Sequence, residues 1–577
     1  MKEQIVECSE EVEVKSVEMT GSQAIVESLI HAGTSLIFGY PGGAIMPVYD
    51  ALYLYGEKIR HILTRHEQGA IHAAQGYARV TGDVGVCLVT SGPGSTNVVT
   101  GIADAMIDST PVVVIAGQVG SAFLGTDAFQ ETDIRGITQP ITKWNYQITD
   151  ASEVPWAVAR AFFIARSGRP GPVLLEITKD AQFNKIQYKP MEITSLRSYT
   201  PYPAVSQASV EEAAKLINLS RKPLALVGQG VILADACSEL MTFLEKTGIP
   251  AAWTLLGLSA LPTDHPLNVG MLGMHGNYGP NIKTNEADLI IAIGMRFDDR
   301  VTADTRRYAT KAKVIHLEID PSEISKVIHA EVPVPGDVKE SLPMITSRVS
   351  ENDHSEWVAE FHACSRIEYT RVISKELSPV KVHLSMGEAI RKVSEAFDDD
   401  AIMVTDVGQH QMMAARYFRF KQGRSVVTSG GLGTMGFGLP AAIGAKIGKP
   451  DRDVVLFVGD GGFQMTIQEL GTIFQEGIAV KMVLLNNSFL GMVRQWQELF
   501  FDSRYSFTEL KNPDFQTIAR GYSIDSVKVS SRDHLDDAIA QMKSSPGPFL
   551  LEVVVEKEGN VFPMVPAGAS VSDIRLE

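Results

Sequence analysis

Cysteine is scarce in this chain, and the few present form no pattern. Four cysteines in 577 residues (Cys8, Cys87, Cys237, Cys364) lie far apart, with no Cys-x-x-Cys pair. Structural zinc sites and disulfide frameworks need clustered or regularly spaced thiols, so neither is expected. Basic charge is in deficit as well: 52 Lys and Arg against 68 Asp and Glu leave a formal charge of −16. Nucleic acid and anionic membrane surfaces both call for a basic patch, so neither is an expected partner. No apolar run reaches the ~18 residues that a membrane-spanning helix needs. The first residues carry Glu3, Glu7, Glu10, Glu11 and Glu13, unlike an Arg-rich transit peptide or the apolar core of a signal peptide. The expectation is a cytoplasmic protein. Its 45% apolar and 21% charged residues fit a large globular core.

What is abundant is the apolar strand alternating with helix. Near the N-terminus, a small-residue helix (68–80) leads to a strand (84–90), a Gly-rich turn (Ser91 to Ser95), a helix through Ile107 and a strand (111–117). The same order recurs later: helix 436–447, strand 454–458, turn Gly459 to Gly462, helix to Glu476, strand 480–485. Unbroken Val/Ile/Leu runs read as buried parallel strands with helices on both faces. A third unit has strands at 223–227, 289–293 and 314–319. The expected fold is α/β, three doubly wound parallel-sheet domains. The expected boundaries are an N-terminal extension 1–18, an N-terminal domain 19–188, a Pro-containing linker 189–203 and a central domain 204–351. A polar linker 352–378, a C-terminal domain 379–560 and a tail 561–577 follow.

Ligands of open α/β sheets sit beyond the carboxyl ends of the strands, where both Gly-rich turns fall. In the C-terminal unit, one strand delivers Gly459-Asp460-Gly461-Gly462 and the next ends on Asn486-Asn487. Mg²⁺ takes oxygen ligands and commonly a phosphate partner. A carboxylate, an amide oxygen and glycines that let backbone N–H groups approach a diphosphate supply that chemistry. Glu67 opens the small-residue helix among Gly69, Ala70, Ala73 and Ala74. It is either a helix N-terminal acid matched to the dipole or a partly desolvated carboxyl able to share a proton with a ring nitrogen. Gly228-Gln229-Gly230 has Leu233 where a dinucleotide fingerprint needs its third glycine, so it is not read as an NAD site. Asp298-Asp299-Arg300 on its own reads as a surface ion-pair cluster. Met492, Val493 and Trp496 share one face if their segment is helical, which on its own describes a core stripe.

The Asp460/Asn487 run resembles the GDG…NN motif of thiamin-diphosphate enzymes. More narrowly, Gly125–Glu131 (GTDAFQE), Arg169–Val173 (RPGPV), Gly273–Gly276 (GMHG), Arg296–Val301 (RFDDRV), Ser429–Gly433 (SGGLG) and Gly491–Trp496 (GMVRQW) occur in order. Together they are similar to the acetohydroxyacid synthase family, the catalytic subunits of acetolactate synthase, over nearly the whole chain. The resemblance implies that the N- and C-terminal domains are the pyrimidine- and diphosphate/Mg²⁺-binding halves of a thiamin-diphosphate enzyme, with an FAD-associated central domain. It implies decarboxylation of pyruvate and transfer of the hydroxyethyl unit to pyruvate or 2-ketobutyrate in branched-chain amino-acid biosynthesis.

By the same resemblance, Glu67 of one subunit pairs with the aminopyrimidine of a cofactor held by another, in a homodimer or homotetramer with shared active sites. Gln130 lies by the reactive face, and Gln409, His410, Gly433 and Met435 contact thiamin diphosphate together with Gly459, Asp460, Gly461, Gly462 and Asn487. Met435 is its apolar wedge, though on residue type alone it is a core methionine. The metal takes Asp460, Asn487 and the carbonyl of Phe489. FAD, without a redox step, takes Arg169, Gly230, Thr254, Leu255, His275, Gly294, Arg296, Asp298, Asp299, Glu318, Asp337 and Val338. Arg300 binds the acceptor carboxylate, Trp496 the acceptor side chain, and Lys179 marks the substrate entrance, unless it is an ordinary solvated lysine. A small regulatory subunit is a possible partner in this family. Pyruvate decarboxylase or oxidase, an FAD-free catabolic synthase and a non-catalytic nucleotide binder on the same fold are the rival readings. Arg300 with Trp496 opposes the first two. The 273–276 and 296–300 segments oppose the third, and the presence of Glu67, Asp460 and Asn487 opposes the last.

Overall fold

The computed structural model describes residues 16–380 and 383–577. Three six-stranded sheets, parallel throughout, form the molecule, and each has its own strand order. In the N-terminal sheet the order is Arg60–Leu63, Leu36–Gly39, Gly85–Val89, Val112–Gln118, Pro172–Thr178, Trp144–Ile148. In the C-terminal sheet it is Val426–Val427, Ile402–Thr405, Val454–Gly459, Lys481–Asn486, Phe549–Val554, Asp525–Val529. Counting each domain's own strands, both run 2-1-3-4-6-5. The repeat of order in the sequence is thus a repeat of topology. The inner strands are fully buried because helices cover both faces: Val112–Gln118, Pro172–Thr178 and Lys481–Asn486 expose no residue. Such runs need no alternation.

The central sheet differs. Asn268–Met271, Ala251–Trp253, Pro223–Val227, Leu289–Ile293, Lys313–Glu318, Val332–Pro335 is the order 3-2-1-4-5-6, that of doubly wound dinucleotide-binding folds. Its switch point lies between Pro223–Val227 and Leu289–Ile293. Gly230 and Gly294 follow those two strands and meet there; a Cβ on Gly230 would lie 2.6 Å from the Gly294 Cα. Small residues are required because two loops share one space.

The N- and C-terminal domains of the chain clasp through helices Glu67–Thr81 and Gly438–Gly448. A Cβ on Gly76 would stand 2.0 Å from the Ala441 carbonyl oxygen, and one on Gly444 1.8 Å from that of Ala73. Backbone meets backbone, which explains the small-residue composition of both helices. A buried polar seam reinforces the joint. Arg79 donates to Asp108 Oδ2 (2.9 Å) and to the Thr428 carbonyl (2.7 Å), while Asp108 accepts the Gly430 and Gly431 N–H groups at 2.8 and 2.7 Å.

Several expectations change in detail. The Gly459–Gly462 "turn" is the cap and first turn of a helix, Asp460–Met465. The polar stretch 352–378 is helical: Ser355–Glu368 buries Trp357, Phe361, Cys364 and Glu368, and a π-helical turn Tyr369–Ile373 runs on into Ser374–Leu377. Glu368 accepts from Asn277 Nδ2 (2.9 Å) and forms a buried ion pair with Arg416, so the segment ties the central domain to the C-terminal one. The tail 561–577 buries Val561, Met564, Val565, Val571, Ile574 and Leu576, and Val565 N–H bonds the Met274 carbonyl at 2.8 Å. Residues 17 and 18, expected in the extension, belong to a strand Val17–Thr20 paired with Lys185–Tyr188; residues 1–15 lie outside the described ones. No helix among the described residues is long and apolar enough to cross a membrane. Cys87, Cys237 and Cys364 are free thiols.

Candidate functional site

The switch point of the C-terminal sheet lies between Ile402–Thr405 and Val454–Gly459. The segments leaving these strands, Gly408–His410 and Gly459–Gly462, line a recess of about 50 Å³ with Met435, Asn487, Phe489 and Leu490. The glycines fit this crowding. A Cβ on Gly459 would sit 2.8 Å from His410 Nδ1, and one on Gly462 2.3 Å from Asp406 Oδ1. Gly462 is therefore demanded by Asp406 as much as by any approaching phosphate, since Asp406 is fully occupied in accepting N–H groups, including those of Gly436 and Gly438.

Asp460 is 1% exposed. Its Oδ2 accepts from Asn512 Nδ2 at 2.6 Å, while its Oδ1 is buried without a hydrogen-bond partner. Burial pushes the carboxyl up to about 6, against the pull of Asn512 and of the nearby Asn487 and Ser488 N–H groups. An unpaired buried acceptor costs roughly 1–3 kcal/mol or more when charged, so this oxygen suits a cation. Asn487 is 5% exposed and offers an amide oxygen that otherwise accepts only from the Phe489 N–H at 3.2 Å. No cluster of three or more His, Cys, Asp or Glu side chains able to hold a metal occurs among the described residues. The donor set at Asp460, with one carboxylate, one amide and one carbonyl, is a hard-oxygen set of low charge. It fits Mg²⁺ completed by a diphosphate. His410 lines the same recess; burial pulls its imidazole down to about 4, so it is neutral, and its Nε2 has no partner. Gln409 is held in place by bonds to Gln495 Oε1 and the Gly559 carbonyl, both 2.9 Å.

A second cavity of about 810 Å³ opens at the switch point of the central sheet and reaches the first. Arg169, Gly230, Thr254, Leu255, His275, Gly294, Arg296, Asp298, Asp299, Glu318, Asp337 and Val338 all line it. Burial raises Glu318 to about 7 and lowers His275 to about 4. Its size and its mix of glycines, apolar walls and a few polar groups suit a large, flat nucleotide cofactor such as FAD. Arg300, Gly433 and Trp496 also line the cavity, and Met435, Met492 and Val493 wall both spaces.

Trp496 departs from the plainer reading of its neighbourhood, whereas Arg300 keeps the exposed ion pair with Asp299 that its own neighbourhood suggests. Helix Gly491–Phe500 turns Arg494 and Gln495 into the core, whereas Trp496 is 39% exposed and Val493 42% on the cavity side. Met492, Val493 and Trp496 all line the cavity, and Met492 also packs against the hydrophobic core. Arg300 has its guanidinium half exposed, with Asp299 at 3.8 Å and no tighter carboxylate. It lines the cavity as a half-exposed planar donor.

Three expected residues lie elsewhere. Glu67, Gln130 and Lys179 line neither cavity. They gather instead at the carboxyl ends of the N-terminal strands. Asn97 Nδ2 donates to Glu67 Oε2 at 2.9 Å, and Gly94 lies against Glu67. A Cβ on Gly92 would touch the Gln130 carbonyl at 2.8 Å, and Lys179 directly follows strand Pro172–Thr178. Asn97, on which the sequence carries no signal, is the residue that the structure adds beside Glu67. Asn512 was also passed over: it acts 52 positions from Asp460, and its only local signal is an Asn ahead of Pro-Asp-Phe.

Fold and site together define a thiamin-diphosphate enzyme. The sequence profiles described as thiamine pyrophosphate enzyme, N-terminal TPP binding domain, central domain and C-terminal TPP binding domain match residues 19–137, 210–345 and 406–553. Among curated proteins, the acetolactate synthase large subunit of Corynebacterium glutamicum is 47% identical, over 96% of this chain and 90% of its own. Acetolactate synthase isozyme 2 large subunit of Escherichia coli K12 is 44% identical, over 96% of this chain and 99% of its own. A probable acetolactate synthase large subunit of Methanocaldococcus jannaschii is 42% identical, over 96% and 95%. The chain belongs to the acetolactate synthase large-subunit family.

Proposed function

We propose that the protein condenses two 2-ketoacids, releasing CO₂ from pyruvate and joining its remaining two-carbon unit to pyruvate or 2-ketobutyrate, to give 2-acetolactate or 2-aceto-2-hydroxybutyrate. The observation that carries this reading is that one cavity is lined both by Arg300, half exposed, and by the apolar Met492, Val493 and Trp496. An acceptor ketoacid has those two features, a carboxylate and a short alkyl group. A decarboxylase that merely protonates its product has no second ketoacid to hold.

Thiamin diphosphate, when bound, supplies an acidic thiazolium carbon and a sink for the electrons that decarboxylation releases. The chain's residues do the rest. Asp460, Asn487 and the Phe489 carbonyl hold Mg²⁺ against the diphosphate. Met435, Gln409 and His410, which line the recess, would be among the groups that hold the cofactor. Glu67 of a second copy holds a proton at the aminopyrimidine N1′, with Gln130 beside it and Lys179 at the entrance. The remoteness of these three from their own chain's recess supports a homodimer or homotetramer with shared sites. Arg300 orients the acceptor carboxylate through a planar fork. FAD fills the central cavity as a structural cofactor. The reading includes cytoplasmic residence and a regulatory subunit as a further partner, and places the products in branched-chain amino-acid synthesis.

Incubating the purified protein with thiamin diphosphate, Mg²⁺, FAD and pyruvate tests this. Acetolactate is the expected product; acetaldehyde would indicate a simple decarboxylase and acetyl phosphate an oxidase.

Trp496→Leu should keep acetolactate formation but lose most of the preference for 2-ketobutyrate. One methylene in an apolar pocket discriminates by ~1–3 kcal/mol, roughly 10–200-fold. With both ketoacids competing, the ratio of aceto-hydroxybutyrate to acetolactate is the readout. An active mutant with an unchanged ratio would remove Trp496 from the acceptor pocket. Trp496 is 39% exposed, so the substitution leaves no large buried cavity.

A further inference from the structure

We propose that Asn512 is a positioning residue for the Mg²⁺-binding groups, and that residues 508–512 act as a strap fixing all three of them. The inference rests on the reading that Asp460, Asn487 and the Phe489 carbonyl hold the ion.

Asn512 uses its whole amide. Its Nδ2 donates to Asp460 Oδ2 at 2.6 Å and to Asn486 Oδ1 at 3.1 Å, and its Oδ1 accepts from Gln464 Nε2 at 3.0 Å. Gln464 Nε2 in turn donates to the Asp460 carbonyl at 2.9 Å. One carboxylate oxygen is thereby committed, the plane of the carboxylate is fixed, and Oδ1 alone is left without a partner.

The strap's backbone serves the third ligand. Leu490 N–H bonds the Thr508 carbonyl and Leu510 N–H bonds the Ser488 carbonyl, both at 2.8 Å, around an antiparallel bridge between Phe489 and Glu509. In this arrangement Phe489 and Glu509 are the non-hydrogen-bonded pair, so their own N–H and C=O groups point away from the partner strand. The Phe489 N–H accordingly reaches Asn487 Oδ1 at 3.2 Å, and its carbonyl is not consumed by the strap. The strap is itself tied down. Thr508 Oγ1 donates to Gln497 Oε1 at 3.0 Å, and Lys557 pairs with Glu509 at 2.6 Å. Gln497 sits on the helix that carries Trp496.

Outer-shell partners of metal ligands typically contribute 10–100-fold in metal affinity. The test is the Mg²⁺ concentration needed for half-maximal thiamin diphosphate retention, measured by calorimetric titration, with FAD content recorded alongside. Wild type is titrated first. In Asn512→Leu the half-saturating Mg²⁺ should rise ~10–100-fold, retention should return at excess Mg²⁺, and FAD content should match wild type. A merely structural role would lower FAD content and would not be rescued by metal. Asn512→Ser, which keeps a small polar group, is read by the same criterion if the leucine variant loses its flavin. A flavin-replete variant with wild-type Mg²⁺ dependence would overturn the proposal, as would failure of both variants to fold. Wild type that takes up no Mg²⁺ with thiamin diphosphate would overturn the underlying site reading too, and the order of titration keeps that result distinct.

Discussion

Asp460→Ala should yield a folded protein that no longer retains thiamin diphosphate, even at Mg²⁺ concentrations that saturate the wild type. Asp460 is the only charged side chain in the proposed metal set, and its Oδ1 is the one buried acceptor there without a partner. Its loss should therefore exceed the 10–100-fold typical of an outer-shell partner, which amounts to abolition at ordinary cofactor concentrations. The fold should survive for the same reason. A carboxyl pushed by burial from its ordinary 3.8 to about 6 costs the cofactor-free protein about 3 kcal/mol at neutral pH, and the substitution removes that cost. Calorimetric titration with thiamin diphosphate and a melting curve without it check both halves. Near-normal turnover in the mutant would sink the metal-site assignment.

Glu67→Gln should bind cofactor and lose turnover by ~10²–10⁴, the range for a missing general acid–base group. The substitution preserves volume, and a glutamine oxygen still accepts from Asn97, which now donates to Glu67 at 2.9 Å. A role confined to the helix dipole would instead cost ~0.3–1 kcal/mol of stability and leave chemistry alone. Hydrogen–deuterium exchange at thiazolium C2, followed by NMR, separates the two. Slowed exchange is expected; an unchanged rate would return Glu67 to its place as a helix-terminal acid.

The parallel strands were legible because unbroken Val, Ile and Leu have few other places to go, and the repeated order of two domains foretold their common topology. The Gly459–Gly462 segment misled for a physical reason. Glycine is a poor helix former, and at Gly462 it is imposed on a helix by Asp406, a neighbour distant in sequence that no local pattern reveals. Residues 352–378 misled because charge masked Trp357 and Phe361, spaced one helical turn apart and both buried. At the site, Asp460 and Asn487 announced themselves by falling at strand ends. The cofactor and acceptor assignments came from resemblance. The cavity-facing side of Trp496 needed three dimensions, since a lining stripe and a packing stripe have the same spacing. Asn512 carries no motif of its own, and its role emerges only where the chain folds back over the recess.

The glycine-to-carbonyl contacts at Gly76 and Gly444 have a consequence for how the protein works as a population. They lock the two halves of one chain in an arrangement where Glu67 stands apart from the recess holding Asp460. With the proposed pairing, a solitary chain is a complete fold with an incomplete machine. Output then follows the number of associated pairs rather than the number of chains, so dilution silences the protein by mass action without unfolding it.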